Sequence, residues 1–141
     1  MRARVILVIL KYWKEKPKIE AELIDAKHYY QVLQYDEKDY VLMFQIRTQV
    51  KNKGDRATTI GKATLEFTIG NHDHKITQTH IVLSDGSKAR VDPNDMVTVQ
   101  PNLEHYSSYD KEPKQEEIPF KLTLIHTHRK EKLEGTSKLG D

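Results

Sequence analysis

The sequence predicts an all-β domain, an antiparallel two-sheet sandwich of about seven to nine strands. Three observations lead there. Apolar and polar residues alternate at period two along most of the chain, the alternating runs are short, and turn residues separate them. No stretch of useful length carries the apolar spacing of an amphipathic helix. A sandwich is preferred to a barrel because the runs are unequal and the connections irregular.

Val5-Ile6-Leu7-Val8-Ile9-Leu10 is the most apolar run; Arg2 and Arg4 precede it and Lys11-Tyr12-Trp13-Lys14 follows. It is far shorter than the ~20 residues that span a bilayer. A signal peptide would need small residues for cleavage where Lys11 to Lys18 is charged. Residues 1–17 therefore read in one of two ways. They form a buried strand, favoured by β-branched Val5, Ile6, Val8 and Ile9, or the last turns of a membrane anchor, with Tyr12 and Trp13 at the interface. In the second reading residues 5–13 contact membrane. Residues 18–141 are the sandwich domain, and its compartment is left open between cytoplasmic and membrane-associated.

Past Pro17, Ile19, Ala21 and Leu23 share one parity in a strand ending near Ala26, and His28 to Tyr35 forms the next. Asp36-Glu37-Lys38-Asp39 reads as a charged hairpin loop. The clearest strand is Tyr40 to Lys51. Tyr40, Leu42, Phe44 and Ile46 face inward while Gln45, Arg47, Gln49 and Lys51 face outward, although Val41 and Met43 blur its beginning. After Ile60, Ala63, Leu65, Phe67 and Ile69 alternate with Lys62, Thr64, Glu66 and Thr68, and Gly70-Asn71-His72-Asp73 closes the run. Lys75 to Leu83 changes parity between Ile76 and Ile81, which a bulge would explain. Met96 to Gln100 follows Asp92-Pro93-Asn94, and Pro101 to Glu117 reads as a long irregular segment. Ile118, Phe120, Leu122 and Leu124 share a face in the strand to Thr127, and Leu133 to Leu139 adds a short terminal one.

Arg47-Thr48-Gln49-Val50-Lys51-Asn52-Lys53-Gly54-Asp55, followed by Thr58-Thr59-Ile60, resembles the strand–turn–strand of immunoglobulin-like accessory domains of microbial proteins. In those domains an alternating strand ends in Asn-x-Gly before the chain crosses to the next strand. The resemblance implies an immunoglobulin-like sandwich and carries no functional residues with it.

The 23 basic and 21 acidic residues nearly cancel and are interspersed, as in Lys14-Glu15-Lys16 and Lys130-Glu131-Lys132. Nucleic-acid binders concentrate positive charge in a patch or stripe, so no nucleic-acid partner is expected. The chain has no cysteine, which excludes disulfides, thiol nucleophiles and thiolate metal sites. Abundant Lys and Glu without Cys suits a thermophile.

Histidine invites the sharpest chemical hypothesis. His72-Asp73-His74 and His126-Thr127-His128 each place two imidazoles at i and i+2, on one face of a strand. With His80 or His105 nearby they would hold zinc with an open water position, as in a hydrolase. The simpler reading makes His126 and His128 rim residues continuing the parity of Leu122 and Leu124, and His72 and His74 turn residues. Asp92-Pro93-Asn94-Asp95 with Asp85 offers oxygen ligands but lacks the spacing of a calcium loop. Tyr106 and Tyr109, set among serines, would make a contact surface, and Tyr29, Tyr30 and Tyr35 would stack on sugars if they formed a platform. No Gly-rich phosphate cradle, nucleophile elbow or apolar-flanked carboxylate pair occurs. The expectation is a non-catalytic module that binds a protein or serves a structural role, beside a membrane in the anchor reading, with a protein partner or self-association and no cofactor. A histidine-ligated metal protein or hydrolase and a carbohydrate-binding module are the alternatives.

Overall fold

The computed structural model describes residues 18–33, 36–108, 113–127 and 129–140, of which 36–38 are described by backbone alone. The N-terminal segment 1–17, Tyr35, Tyr109 and His128 lie outside the described residues. The described chain forms nine strands and no helix: β1 (Ile19–Leu33), β2 (Asp36–Asn52), β3 (Thr58–Ile69), β4 (His72–Gln78), β5 (Ala89–Val91), β6 (Met96–Val99), β7 (Asn102–Ser108), β8 (Glu117–His126) and β9 (Lys130–Leu139). Among the described residues no helix is long and apolar enough to cross a membrane.

Hydrogen bonding links the strands in the order β4-β3-β8-β9-β1-β2-β6, with β5 on β3 and β7 on β2. The expected purely antiparallel arrangement is corrected at one ladder. Lys27 and His28 of β1 pair with Lys138 and Leu139 of β9 in parallel, so the sheet is mixed. Strands remote in sequence have no hairpin turn to impose antiparallel direction. The Gly140 N–H donates to the His28 carbonyl at 2.9 Å and the Leu139 N–H to the Glu116 carbonyl at 2.7 Å, which fixes this junction.

The sheet curls back on itself. Phe44 of β2 and Phe67 of β3 have three strands between them in the ladder order, yet their ring centroids are 4.8 Å apart. Tyr40, Leu42, Phe44 and Ile46 meet Leu65, Phe67 and Ile69 and the inward residues of β8, Ile118 through Leu124, in one core. Each fully buried Leu, Ile or Phe side chain contributes about 1.5–3 kcal/mol relative to exposure. Gly135 of β9 belongs to this packing, since a Cβ there would lie 2.8 Å from Leu23 Cδ2 and 3.0 Å from Phe120 Cζ.

Several elements differ from the sequence expectation. Ile19–Ala26 and His28–Tyr35 are one strand through Leu33, with a bulge between Leu23 and Asp25 that moves the inward parity from Leu23 to Ala26 and His28. Asp36 to Asp39 is the start of β2, not a loop. His72 and Asp73 belong to β4, which ends at Gln78; the parity change beyond it marks the chain leaving the sheet, and Val82 makes only an isolated bridge to Lys88. Asn102–Ser108, read as irregular, is β7, and the three-residue β5 carries too few residues to show alternation.

The turn after β2 explains the Asn-x-Gly. Asn52 is fully buried, and its side chain accepts from the Gly54 N–H at 2.9 Å and donates to the carbonyls of Arg56 at 2.7 Å and Val91 at 3.1 Å. Its own N–H donates to the Asp95 carbonyl, and its carbonyl accepts from Asn94, which sits at φ 64°. One side chain thus holds two crossings of the chain together.

Candidate functional site

The two faces turned away from the core differ in chemistry. Over β4, β3, β8 and β9 the register lines up Lys75, Glu66, Lys121 and Glu134 in a row of alternating charge. Lys121 and Glu134 approach to 3.7 Å with both side chains largely exposed. Beside them runs a row of Asp73, Thr68 and Thr136, and the trough between has a volume of about 800 Å³. Its charges are paired across strands and solvated, so they carry little net energy.

Over β1, β2 and β7 the outer face sets a few apolar side chains among polar ones. Since Tyr40, Leu42 and Phe44 point inward, Val41 and Met43 point outward. Val41 is only 7% exposed yet stands outside the core cluster, so its cover comes from neighbours on this outer face. Register supplies them. Gln31 of β1 and Tyr106 of β7 flank Val41, and Tyr29 and Glu104 flank Met43. Tyr106 is 64% exposed, the largest exposure among the big hydrophobic side chains described. Its hydroxyl donates to Glu104 Oε2 at 3.2 Å, and that hydrogen bond, with the carboxylate's charge, holds the phenol above its ordinary pKa. Tyr29 lies against Gly140, where a Cβ would overlap the ring.

At the end of β1 a buried polar cluster braces this face from behind. His28 is fully buried. Its Nε2 faces the Gln115 carbonyl at 2.7 Å, which only accepts, so Nε2 carries the proton and Nδ1 accepts from the Ser137 hydroxyl at 2.8 Å. Burial pushes the imidazole below its ordinary pKa, and the Gln115 carbonyl offsets part of that shift. The Gln115 N–H donates to the Tyr30 hydroxyl oxygen at 2.8 Å, its side-chain amide donates to the Glu117 carbonyl at 3.1 Å, and its Oε1 accepts from the Gly70 N–H. Nothing in local sequence marks Gln115 for this role; its partners come from β1, the turn after β3 and the start of β8.

The histidines singled out by sequence fall apart. His126 pairs with Ile60 at one end of β3 and His72 with Ile69 at the other, a separation of roughly 30 Å along the strand. His126 is buried rather than at a rim; it accepts from the Thr58 hydroxyl at 2.9 Å and donates from Nε2 toward Glu131 at 3.4 Å. His74 and His105 do meet, with ring centroids 4.4 Å apart, and both lie 5.3 Å from Phe67. That contact joins β4 to β7 across the molecule, which spacing along the chain cannot signal. Among the described residues no three metal-ligating side chains converge. The loop carboxylates act as turn caps: Asp85 accepts from the Ser87 N–H at 2.9 Å and from its hydroxyl, Asp92 takes Arg90 at 2.8 Å, and Asp95 caps the Met96 N–H.

No known protein family matches the chain, and neither does any curated protein. Solved structures resemble it weakly. A Bordetella pertussis protein described as ApaA is 11% identical with a TM-score of 0.46, over 86% of this chain and 92% of that one. A second structural-genomics target is 12% identical with a TM-score of 0.46, over 89% and 86%. A β-glucosidase from Kluyveromyces marxianus is 14% identical with a TM-score of 0.40, over 86% of this chain but only 15% of the enzyme. At these scores and identities the likenesses assign neither a family nor an activity, and the face over β1, β2 and β7 has to be read from its own chemistry.

Proposed function

We propose that this chain is a non-catalytic immunoglobulin-like β-sandwich whose β1–β2–β7 face binds a protein. The sandwich reading draws support from the contact of Phe44 with Phe67 across the core and from antiparallel pairing in every ladder but the one between β1 and β9. One observation carries the binding reading: Tyr106, Met43, Val41 and Tyr29 lie side by side across three strands, outside the core, with Tyr106 64% exposed. Tyr and Met are enriched in the buried centres of protein interfaces, and the polar residues Gln31, Glu104 and Gln45 form a matching rim. A carbohydrate platform fits less well, because Met43 and Val41 at its centre offer sugar hydroxyls nothing to bond. The N-terminal apolar segment, residues 5–13, would place this module beside a membrane.

A photo-crosslinking residue placed at Tyr106 tests the reading, with a second placed at Lys121 on the charged face as control. Protein adducts form from position 106, not from 121, and Met43→Lys removes them. Equal adducts from both positions, or none from either, rejects the reading.

A further inference from the structure

We infer that the corner where β9 meets β1 is an acid-sensitive latch, which parts when His28 takes up a proton while the rest of the domain stays folded. It does not depend on the binding role proposed above. Among the described residues the strand ladders fall into two groups, β4-β3-β8-β9 with β5 and β1-β2-β6 with β7, and one ladder joins them. That ladder is two pairs long, Lys27 with Lys138 and His28 with Leu139. By contrast, β1 pairs with β2 from Ile19 to Leu33, and β9 pairs with β8 from Lys130 to Lys138. A break at the corner therefore leaves each strand attached on its other side. The contact of Phe44 with Phe67 still holds the two groups together across the core.

The polar contacts at the corner cross one parting line, and His28 makes most of them. On one side stand His28 and Tyr30 of β1; on the other stand Gln115, Ser137 and Gly140. The His28 ring donates to the Gln115 carbonyl at 2.7 Å and accepts from the Ser137 hydroxyl at 2.8 Å, while its carbonyl accepts from the Gly140 N–H at 2.9 Å. The Gln115 N–H donates to the Tyr30 hydroxyl across the same line at 2.8 Å. His28 and Ser137 are both fully buried.

A neutral imidazole suits this site because it donates at one nitrogen and accepts at the other. A second proton would sit on Nδ1, and the Ser137 hydroxyl would have to turn its own proton away to accept it. The charge would also lie between aromatic rings, with Tyr30 at 5.6 Å and Phe44 at 6.1 Å, and with buried Tyr40 of β2 behind Tyr30. The charged groups on the surrounding elements are Lys27 of β1, Lys138 of β9, and Lys114, Glu116 and Glu117 at the entry to β8, all of them exposed. Both ring nitrogens are thus taken by uncharged partners, and burial holds the imidazole below its ordinary pKa. Parting the corner hydrates the ring and restores its proton affinity, so acid favours the parted state once pH falls below the ordinary value of about 6.5.

Amide hydrogen exchange of the full 141-residue chain, corrected for intrinsic rates, reads the latch between about pH 7.5 and about pH 4.5. The reporters are the N–H groups of Gly140 and Gln115, which lie on the parting line. Their protection should fall by up to about tenfold per pH unit, the limit for one proton, and level off where the His28 ring itself titrates by NMR. Dilute urea should hardly change it, whereas amides of β3 and β8 exchange through global unfolding and respond fully to urea. In His28→Gln, which takes up no proton, the pH dependence should vanish. Flat protection across this range overturns the inference, as does a fall that persists in His28→Gln. Corner amides with the full urea dependence of β3 overturn it too, since the corner would then open together with the whole domain. If His28→Gln does not fold, the natural chain decides: a fall that continues below the His28 titration belongs to another group, and the inference fails.

Discussion

At the scale of single residues, His28 and Asn52 are where buried polar atoms hold the molecule together. The His28 imidazole is kept neutral by burial, below its ordinary pKa. The unfolded chain therefore takes up a proton before the folded one does. This contribution to stability is whole above the ordinary imidazole value, and it is lost as pH falls through that value to the lowered folded one. Urea midpoints measured from about pH 8 down to about pH 5 should decline in the natural chain and decline less in His28→Phe. The same variant should be less stable at neutral pH, because the Ser137 hydroxyl and Gln115 carbonyl lose their partner, at about 1–3 kcal/mol for a stranded group. Asn52→Asp makes a sharper test. The change is nearly isosteric, but a carboxylate cannot donate to the Arg56 and Val91 carbonyls, so a loss of about 2 kcal/mol or more is expected in denaturant unfolding. Asn52 was readable as turn chemistry, whereas its burial was not, because its partners at Val91 and Asp95 lie some forty residues further along.

At the scale of elements, legibility followed the alternation. Tyr40 through Ile46, Ala63 through Ile69 and Ile118 through Leu124 each showed their inward parity in sequence, and each stands as expected in the core. β1 did not, since the bulge between Leu23 and Asp25 shifts parity midway and makes one strand look like two. The parallel ladder of β9 on β1 left no trace either, because pairing between remote strands is set by tertiary packing rather than by neighbours in the chain. Of the candidate site, Tyr106 was visible as an exposed aromatic and Val41 and Met43 as apolar residues at outward positions. Tyr29 and Glu104 join them only through register. Where β9 crosses the core, Gly135→Ala should cost about 1–3 kcal/mol in thermal or urea unfolding. The added methyl meets Leu23 and Phe120, both already packed, and neither can retreat without opening the centre.

At the scale of the whole molecule, one face is solvated by paired charge and the other sets Tyr29, Met43 and Tyr106 among polar residues. The net charge of +2 leaves little long-range field to steer either face toward a charged partner. The row of Lys75, Glu66, Lys121 and Glu134 is exposed, so Lys121→Ala should change stability by less than about 0.5 kcal/mol. Raising ionic strength should likewise leave unfolding midpoints almost unmoved. A large effect from either would mean that the row is covered by another molecule in solution.

The parallel junction also sets a timetable for synthesis. Lys27 waits for Lys138, so the first described strand emerges from the ribosome more than a hundred residues before its lateral neighbour exists. Until then β1 pairs with β2 alone and its other edge stays open to any extended chain nearby. Pairings so distant in sequence close slowly. The nascent domain therefore passes through a long interval before β9 is made and pairs the Lys27–His28 stretch of that edge.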